Sequence, residues 1–220
     1  MDAHQSIKAE LKEYFSRYKK LTFKKKELIL RPGQEMSQVY FIKAGAVRQY
    51  SVTKNGDEFT LNIFKPGSML FLIQMLQEHT NRHYYQALIE TEVYVAPFSH
   101  TLTYLQTKPM ITLNLLQQIG VGINGYLARI ESLTFNNSRE KLATILLILA
   151  KRFGKKENGF IRVELPLTHY DLSCLIGVTR ETTSIEMKKM EREGLISRDK
   201  QLTYIYDLDK ITELATVVPD

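Results

Sequence analysis

Residues 167–196 read LTHYDLSCLIGVTRETTSIEMKKMEREGLI, and this segment contains the clearest structural signals in the chain. Thr168 stands three residues before an acid, which is the spacing of a capping box and predicts that a helix begins there. Gly177 can take a positive φ at a tight turn, and Thr179 can cap a second helix. Leu195 and Ile196 then lead into a predicted β-hairpin. The stretch therefore predicts a helix-turn-helix with a wing, whose second helix has the length to enter a DNA major groove.

The 3.6-residue repeat divides the second predicted helix into two faces. One face carries Thr183, Met187 and Met190, and the broadly opposite face points outward. The residues that we predict to contact DNA are Thr168, Thr179, Arg180, Glu181, Thr182, Ser184, Ile185 and Lys188. An ordinary helical hairpin with a solvated charged face is the alternative, but the turn, the caps, the spacing and the wing together favour DNA binding.

The segment Gly177 to Thr182 reads GVTRET and resembles the turn and recognition-helix start, G-x-S-R-E-T, of the Crp/Fnr family of bacterial transcription regulators. The resemblance continues through glycine-punctuated segments typical of the family's β-roll, namely PG at 32–33, VYFIKAGAV at 39–47, NGDE at 55–58 and KPG at 65–67. It implies an α+β fold with an N-terminal β-roll sensor like a cyclic-nucleotide-binding domain, a long dimerisation helix and a C-terminal winged helix-turn-helix.

The resemblance also assigns roles within the second helix. It places Arg180 and Glu181 at base-reading positions, and Ser184 resembles the serine of the Fnr-type E-x-x-S-R pattern. Ile185 departs from the family, which usually carries arginine there. We expect Ile185 to contact a thymine methyl group instead, although isolated surface apolar residues are common.

Three parts are expected along the chain: a sensor at 1–107, a dimerisation helix at 108–135 and a winged-helix domain at 136–220. The first part is rich in short strand patterns, and turns are predicted at 32–33, 55–56 and 66–67. Phe59, Leu61 and Ile63 alternate with polar residues, which predicts a strand. In the last part, Asn137 or Ser138 is expected to cap a helix after a hinge. The buried face of that helix is predicted to carry Leu142, Ile145, Leu146 and Leu149, and strands are predicted at 159–165 and 202–206.

The predicted dimerisation helix has an apolar stripe with 3-4-3-4-3 spacing, typical of a coiled coil. The stripe consists of Leu116, Ile119, Ile123, Tyr126, Ile130 and Leu133. A single helix packed on its own core shows the same pattern, but the resemblance implies pairing with a second copy. Gly120, Gly122 and Gly125 interrupt the helix. They either permit close helix contact or keep the helix easily remodelled, and the sequence does not choose between these roles.

Composition sets limits on the class of protein. Residues 136–220 hold 14 Lys and Arg and 13 Asp and Glu, so the net charge of +6 lies almost wholly in the first 135 residues. The overall charge therefore gives little support for DNA binding, and individual cations must provide it. The chain has no apolar run long enough to span a bilayer and no visible signal peptide, so no membrane partner is expected. One cysteine in 220 residues suits a reducing cytoplasm.

The sensor part departs from the cAMP-binding members of the family. Those members have a Gly-Glu-Leu segment after the third β-roll glycine and an Arg-Ser or Arg-Thr pair further on, but here Gly67 leads into SMLFLI and Arg82 precedes a histidine. An anionic phosphate in an apolar pocket needs paired donors, so we predict that cAMP is not the effector. Candidate residues for the effector pocket are Phe71, Leu72, Arg82 and Tyr84.

Other cofactors and catalysis are also not expected. Cys174 is a single thiol inside a predicted helix, so an iron–sulfur cluster is not predicted and a packing role is favoured. His79 and His83 have i,i+4 spacing, which suits haem or metal only if the segment is helical, and a polar loop is the preferred interpretation. The chain contains no phosphate loop, nucleophile elbow or zincin motif, so we predict that it is not an enzyme.

The sequence thus predicts a cytoplasmic homodimeric transcription regulator that senses an unidentified signal and binds a two-fold symmetric operator in double-stranded DNA. RNA polymerase is a further expected partner if the protein activates transcription. Two alternatives stay open at this point. One is a ligand-binding module whose winged helix contacts proteins, and the other is a constitutive DNA-binding regulator without a small effector. The effector, the target genes and the direction of regulation are not set by the sequence.

Overall fold

The computed structural model describes residues 3–215, with side chains from residue 7 onward. The chain forms two compact units, Met1–Ile119 and Gly120–Asp220. The units meet inside the long helix that the sequence predicts, so this helix contributes residues to both.

The first unit is a β-roll with three helices. Its elements in chain order are α1 (Ala3–Ser16), β1 (Lys19–Phe23), β2 (Leu28–Leu30), β3 (Gln38–Ala44), β4 (Val47–Val52), β5 (Glu58–Phe64), β6 (Met69–Leu70), α2 (Leu72–Leu76), β7 (Tyr84–Ala87), β8 (Thr91–Pro97) and α3 (Phe98–Gln106). The strands form two antiparallel four-stranded sheets, ordered β1-β8-β3-β6 and β2-β7-β4-β5. The predicted α+β fold with an N-terminal β-roll is confirmed.

Two apolar clusters hold the first unit together. One contains Phe15 and Phe41, whose rings stack with centroids 4.9 Å apart. The other contains Ile42 of β3 together with Val47 of β4 and Tyr85 of β7, so it joins residues of both sheets. Both clusters recruit residues from distant parts of the chain, and burial of this apolar surface is the main favourable contribution to folding.

Glycine is required at Gly45, at the turn between β3 and β4. Its φ is +93°, and a Cβ atom there would collide with Thr91 and with the carbonyl oxygen of Glu90. The turns predicted at 32–33, 55–56 and 66–67 also contain glycines of positive φ. The turn chemistry of the β-roll was therefore visible in the sequence.

Strand β5 is present as predicted, but the alternation of its side chains between the two faces of the sheet is interrupted. In the pairing with β4, Tyr50 lies opposite Thr60 and Gln49 lies opposite Asn62, which leaves Leu61 as an extra residue on β5. Such a bulge breaks the two-residue alternation of side chains between the faces of a sheet. Thr60 is consequently buried, whereas Phe59 and Leu61 are only half-buried. The predicted strand is therefore confirmed, although its apolar residues do not form one regular buried face.

The second unit begins within α4 (Pro109–Phe135), which continues across the boundary between the units. Its other elements are α5 (Ser138–Phe153), β9 (Gly154–Glu157), β10 (Phe160–Val163), α6 (His169–Ile176), α7 (Arg180–Arg192), β11 (Ile196–Asp199), β12 (Leu202–Ile205) and α8 (Leu208–Leu214). The strands form one antiparallel sheet, ordered β11-β12-β10-β9. Asn137 caps α5 in a capping box with Glu140, as one of the two predicted caps. The predicted face of α5 from Leu142 to Leu149 is buried.

The apolar stripe of α4 is largely uncovered in a single chain. Leu116, Ile123 and Ile130 are 63%, 53% and 59% exposed. These side chains therefore do not pack on the core of their own chain, which argues against the alternative of a helix buried in its own domain.

Among the described residues, none of the helices combines the length and apolarity that crossing a membrane requires.

The glycines of α4 provide a test of its local stability. A Cβ atom built on Gly125 meets no other atom within 4 Å. Glycine in a helix interior costs about 0.5–1 kcal/mol relative to alanine. Gly125→Ala should therefore raise the free energy of unfolding by about 0.5–1 kcal/mol, measured by urea denaturation at fixed protein concentration.

Gly154→Ala is the matched control, because a Cβ atom at Gly154 would collide with the carbonyl oxygen of Ala150 and crowd Ile161. This variant should lose stability. A destabilised Gly125→Ala variant would contradict the description of α4 as an uninterrupted helix with free space at this residue.

Candidate nucleic-acid interface

Helix α6 begins at the residue that the sequence identified. The hydroxyl oxygen of Thr168 accepts a hydrogen bond from the backbone N–H of Asp171 at 3.1 Å. In return, the carboxylate of Asp171 accepts hydrogen bonds from the backbone N–H of Thr168 at 2.8 Å and from its hydroxyl at 2.6 Å. This reciprocal capping box satisfies donors that a helix start otherwise leaves unpaired. The start of α6 is therefore rigidly defined.

The turn between the helices also forms as predicted. Gly177 has a φ of 66° and ends α6, and its backbone N–H donates to the carbonyl oxygen of Ser173. Thr179 caps α7, since its hydroxyl oxygen accepts from the backbone N–H of Thr182 at 3.1 Å. The hydroxyl oxygens of Thr179 and Thr182 lie 3.0 Å apart. Two predicted DNA-contacting residues are thus also parts of the helix cap.

The inward side of α7 is fully enclosed. Thr183, Met187 and Met190 have no exposed surface. The hydroxyl of Thr183 donates to the carbonyl oxygen of Thr179 at 3.0 Å, so this polar group is satisfied despite its burial. Burial of this side fixes which residues of α7 face solvent.

The outward side of α7 consists of Arg180, Glu181, Ser184, Ile185 and Lys188. Ile185 is 54% exposed, Ser184 is half-buried and the three charged residues are exposed. Within residues 3–215, none of these three charged residues forms an ion pair. The structure therefore brings the predicted reading residues together on one accessible surface, with charged groups free of ion pairs and available to an external partner.

The wing is attached to the start of α6 by hydrogen bonds that the sequence did not predict. The backbone N–H of Leu167 donates to the carbonyl oxygen of Gln201 at 3.0 Å. The carbonyl oxygen of Leu167 accepts from the guanidinium of Arg198 on β11. Both partners lie more than 30 residues later in the sequence, so no local pattern marks them. Together they fix the wing to the residue that precedes the cap of α6.

A second unpredicted contact fixes the far end of α7. Arg139, near the start of α5, forms two hydrogen bonds with the carboxylate of Glu193, which follows α7. These bonds raise the pKa of Arg139 and lower the pKa of Glu193. Two parallel bonds between a guanidinium and a carboxylate give a defined geometry. Helix α7 is thus capped at its start by Thr179 and tied to α5 at its end.

His169, the first residue of α6, lies in a cationic environment. Burial lowers its pKa below 6.5, and the neighbouring charge of Arg198 lowers the pKa further. The carboxylate of Glu191 opposes this effect, and Arg180 and Lys188 make smaller lowering contributions. A lowered pKa means that His169 is neutral near pH 7. The positive charge of this surface therefore comes from its arginines and lysines.

The residues considered for cluster, metal or haem ligation lie in different elements of the fold. Cys174 is buried within α6, which agrees with the packing role expected for it. His79 and His83 lie outside the helices, in the loop between α2 and β7. Helical spacing therefore does not apply to them, and among the described residues no group of three or more His, Cys, Asp or Glu could hold a metal ion.

The four candidate effector-pocket residues do not converge. Phe71 packs edge-on against Tyr85 with ring centroids 4.8 Å apart, whereas Tyr84 stacks on Tyr50 at 5.1 Å. Neighbouring residues of a strand point to opposite faces, so Phe71 and Tyr84 lie on opposite sides of β7. Leu72 packs in the other apolar cluster of the unit, and Arg82 is exposed.

Two family models match the chain. Residues 20–108 match a cyclic nucleotide-binding domain, and residues 140–214 match a Crp-like helix-turn-helix domain. The matched segments correspond to the β-roll and to the unit that contains α6, α7 and the wing. Together they span most of the chain.

Similar proteins include transcription regulators from several bacteria. The global nitrogen regulator of Synechocystis is 27% identical over 188 residues, which cover 84% of each chain. The fumarate and nitrate reduction regulatory protein of Escherichia coli is 25% identical over 198 residues, covering 90% of this chain and 78% of its own.

Solved structures show the same architecture. A CRP/FNR-family transcriptional regulator from Thermus thermophilus has a TM-score of 0.72 at 25% identity, covering 90% of this chain and 98% of its own. A CooA mutant from Carboxydothermus hydrogenoformans has a TM-score of 0.76 at 26% identity, covering 91% of this chain and 89% of its own. With its β-roll, its long helix and its winged helix-turn-helix, the chain belongs to the Crp/Fnr family of transcription regulators.

Proposed function

We propose that the chain acts as a homodimer that recognises a two-fold symmetric operator through α7 and changes its DNA affinity in response to a signal received by the N-terminal unit. The observation that carries this proposal is the outward side of α7. It exposes a guanidinium, a carboxylate and an ammonium group that form no ion pairs among the described residues, on a helix whose opposite side is fully buried.

Each exposed group suits a different contact with DNA. The guanidinium of Arg180 has the geometry to donate two hydrogen bonds to O6 and N7 of guanine, and the carboxylate of Glu181 can accept from N4 of cytosine. The predicted hydroxyl contacts at Thr168, Thr179 and Thr182 suit phosphate oxygens, because helix N-termini favour anions. Ser184 lies one turn further along α7 and resembles the serine of the Fnr-type reading pattern, so its hydroxyl suits a base edge. The ammonium group of Lys188 suits a phosphate contact without base preference.

Substitution of single cations tests this assignment. Arg180→Ala should reduce the preference for the operator over unrelated DNA by about 1–3 kcal/mol, because it removes one base contact. Lys188→Ala should weaken binding to all sequences alike and reduce the dependence of affinity on salt, because it removes a phosphate contact. Fluorescence anisotropy with operator and unrelated duplexes over a range of salt concentrations measures both effects.

Arg162→Ala is the matched control, since this arginine lies on β10 and pairs with Glu157 and Glu164 rather than facing outward from α7. It should bind operator as the wild type does. If Arg180→Ala keeps the full operator selectivity of the wild type, Arg180 does not read a base, and a winged helix that contacts proteins is favoured instead.

The exposed stripe of α4 supports a dimer through this helix. Its six residues have the spacing that two helices need to pack side by side, and a single chain leaves the stripe largely uncovered. Pairing would bury these side chains and bring two copies of α7 into one molecule, as a two-fold symmetric operator requires.

Ile123→Asp should weaken both dimerisation and operator binding, because pairing would place two uncompensated carboxylates at the centre of the stripe. Val121→Asp is the control, since Val121 lies on the opposite side of the same helix and is 68% exposed. Sedimentation velocity separates monomer from dimer. An Ile123→Asp variant that stays dimeric would place the interface elsewhere.

In the proposed function, the signal controls DNA binding by shifting the dimer between two conformational states. A ligand acts only through its different affinities for the DNA-competent and DNA-incompetent states, so an effector must bind one of them more tightly. We further propose that the N-terminal unit senses an effector other than cAMP and that the protein is located in the cytoplasm. If the protein activates transcription, it also contacts RNA polymerase.

We also propose that Ile185 contacts the methyl group of a thymine. An apolar side chain in the major groove favours thymine, whereas an arginine at this position would favour guanine. Ile185→Arg should therefore shift the preferred base from T to G at one position of each half-site, by about 1–3 kcal/mol. Parallel selections from random DNA with both proteins measure the change.

Ile185→Ala is the control for this change, because it removes the methyl contact without adding a donor. It should reduce the preference for T without creating one for G. If Ile185→Arg selects the same sequences as the wild type, Ile185 does not contact a base.

A further inference from the structure

A hydrogen bond joins α4 directly to the helix-turn-helix. The guanidinium Nη2 of Arg129, on α4, donates to the carbonyl oxygen of Leu175, near the end of α6, at 2.6 Å. Both residues belong to the second unit. The contact spans 46 residues of sequence, so no local motif announces it.

The carbonyl oxygen of Leu175 is a favourable acceptor for a cation. The last carbonyl groups of a helix have no partner within the helix, and they carry the negative end of its dipole. Leu133, Ile145 and Ile176 line a crevice together with Arg129 and Leu175, which partly encloses the bond. Burial lowers the pKa of Arg129 to about 10, so the guanidinium stays protonated at neutral pH.

The position of the bond links two parts of the proposed dimer. Arg129 follows Tyr126 of the apolar stripe by three residues, so it flanks the proposed dimer interface. Leu175 stands two residues before Gly177 and five before Arg180. The bond therefore connects the helix that would pair two chains with the segment that precedes the recognition helix.

We propose that Arg129 is a positioning residue that fixes the orientation of the helix-turn-helix relative to α4, and thereby the operator half-site spacing that the dimer accepts. This inference rests on the proposed function, because spacing has meaning only for a dimer bound to two half-sites. In dimeric helix-turn-helix proteins the distance between recognition helices sets the distance between half-sites. A helix-turn-helix that turns more freely against α4 accommodates a wider range of distances.

The preference for one half-site spacing distinguishes a positioning role of Arg129 from a contribution to the stability of the fold alone. A residue that only stabilises the structure would, when replaced, lower affinity for every spacing by the same factor. Loss of a positioning contact instead reduces the difference in DNA affinity between the preferred half-site spacing and the neighbouring spacings. The informative quantity is therefore the ratio of the affinity at the preferred spacing to the affinity at a neighbouring spacing.

The experiment uses the full chain and the half-site selected by the wild-type protein. Duplexes carry two inverted half-sites at the preferred spacing, and at spacings one base pair shorter and one base pair longer. We expect wild type to prefer its spacing by roughly tenfold or more, a discrimination comparable to that of one base mismatch. Arg129→Met, which keeps an unbranched side chain but loses the donor, should reduce that ratio to about two- to threefold while the protein stays dimeric.

Two further variants complete the design. Arg129→Lys keeps a cation able to reach one carbonyl oxygen, so its ratio should lie between those of wild type and Arg129→Met. Arg162→Met is the control, because Arg162 is ion-paired on the sheet of the same unit. It should keep the wild-type ratio. Thermal unfolding and sedimentation establish that each variant is folded and dimeric.

If Arg129→Met keeps the wild-type ratio of affinities between the preferred and neighbouring spacings, Arg129 has no positioning role. If Arg129→Met does not fold, Arg129→Lys decides: a reduced ratio supports the inference and a wild-type ratio overturns it. If the wild-type protein selects no paired half-sites, the proposed dimeric operator binding fails, and the inference fails with it. If wild type has a clear preference that the variants keep, the proposed function stands and only the inference fails.

Discussion

Burial of Thr183, Met187 and Met190 fixes the rotation of α7 about its own axis. Full burial of a methionine side chain contributes about 1.5–3 kcal/mol relative to exposure, so rotating the helix would lose the contribution of two such side chains. The arrangement leaves Arg180, Glu181 and Ile185 no position other than the outer surface. The proposed reading surface is thus a consequence of core packing on the other side of the same helix.

Several polar contacts then fix where that helix lies in its domain. The bidentate pair of Arg139 and Glu193 holds one end of α7, and the cap formed by Thr179 defines the other. The contacts of Leu167 with the wing secure the start of α6. Accurate DNA recognition requires reading side chains on rigid elements, because small displacements weaken bidentate contacts to bases. The helix-turn-helix meets this requirement through hydrogen bonds at its ends as well as through its core.

The sequence predicted the features that depend on neighbouring residues. The caps at Thr168 and Thr179, the turn at Gly177 and the inward side of α7 each involve residues within a few positions, so local spacing was sufficient. Contacts between distant residues, such as Arg129 with Leu175, carry no local signature. The bulge at Leu61 is set by pairing with β4 rather than by its own strand, so alternation alone could not reveal it. The candidate effector residues do not converge, because Tyr84 and Tyr85 are adjacent on β7 and so point to opposite faces of the sheet. Phe71 contacts Tyr85 and therefore lies on the face opposite to Tyr84.

The central claim is that the outward side of α7 recognises a specific DNA sequence as part of a symmetric dimer. Selection from a pool of random double-stranded DNA with the purified full chain tests this claim most directly, followed by sequencing of the bound fraction. We expect enrichment of an inverted repeat whose two half-site centres lie about one helical turn apart. Absence of an enriched sequence, or enrichment of a single unrepeated site, would contradict it.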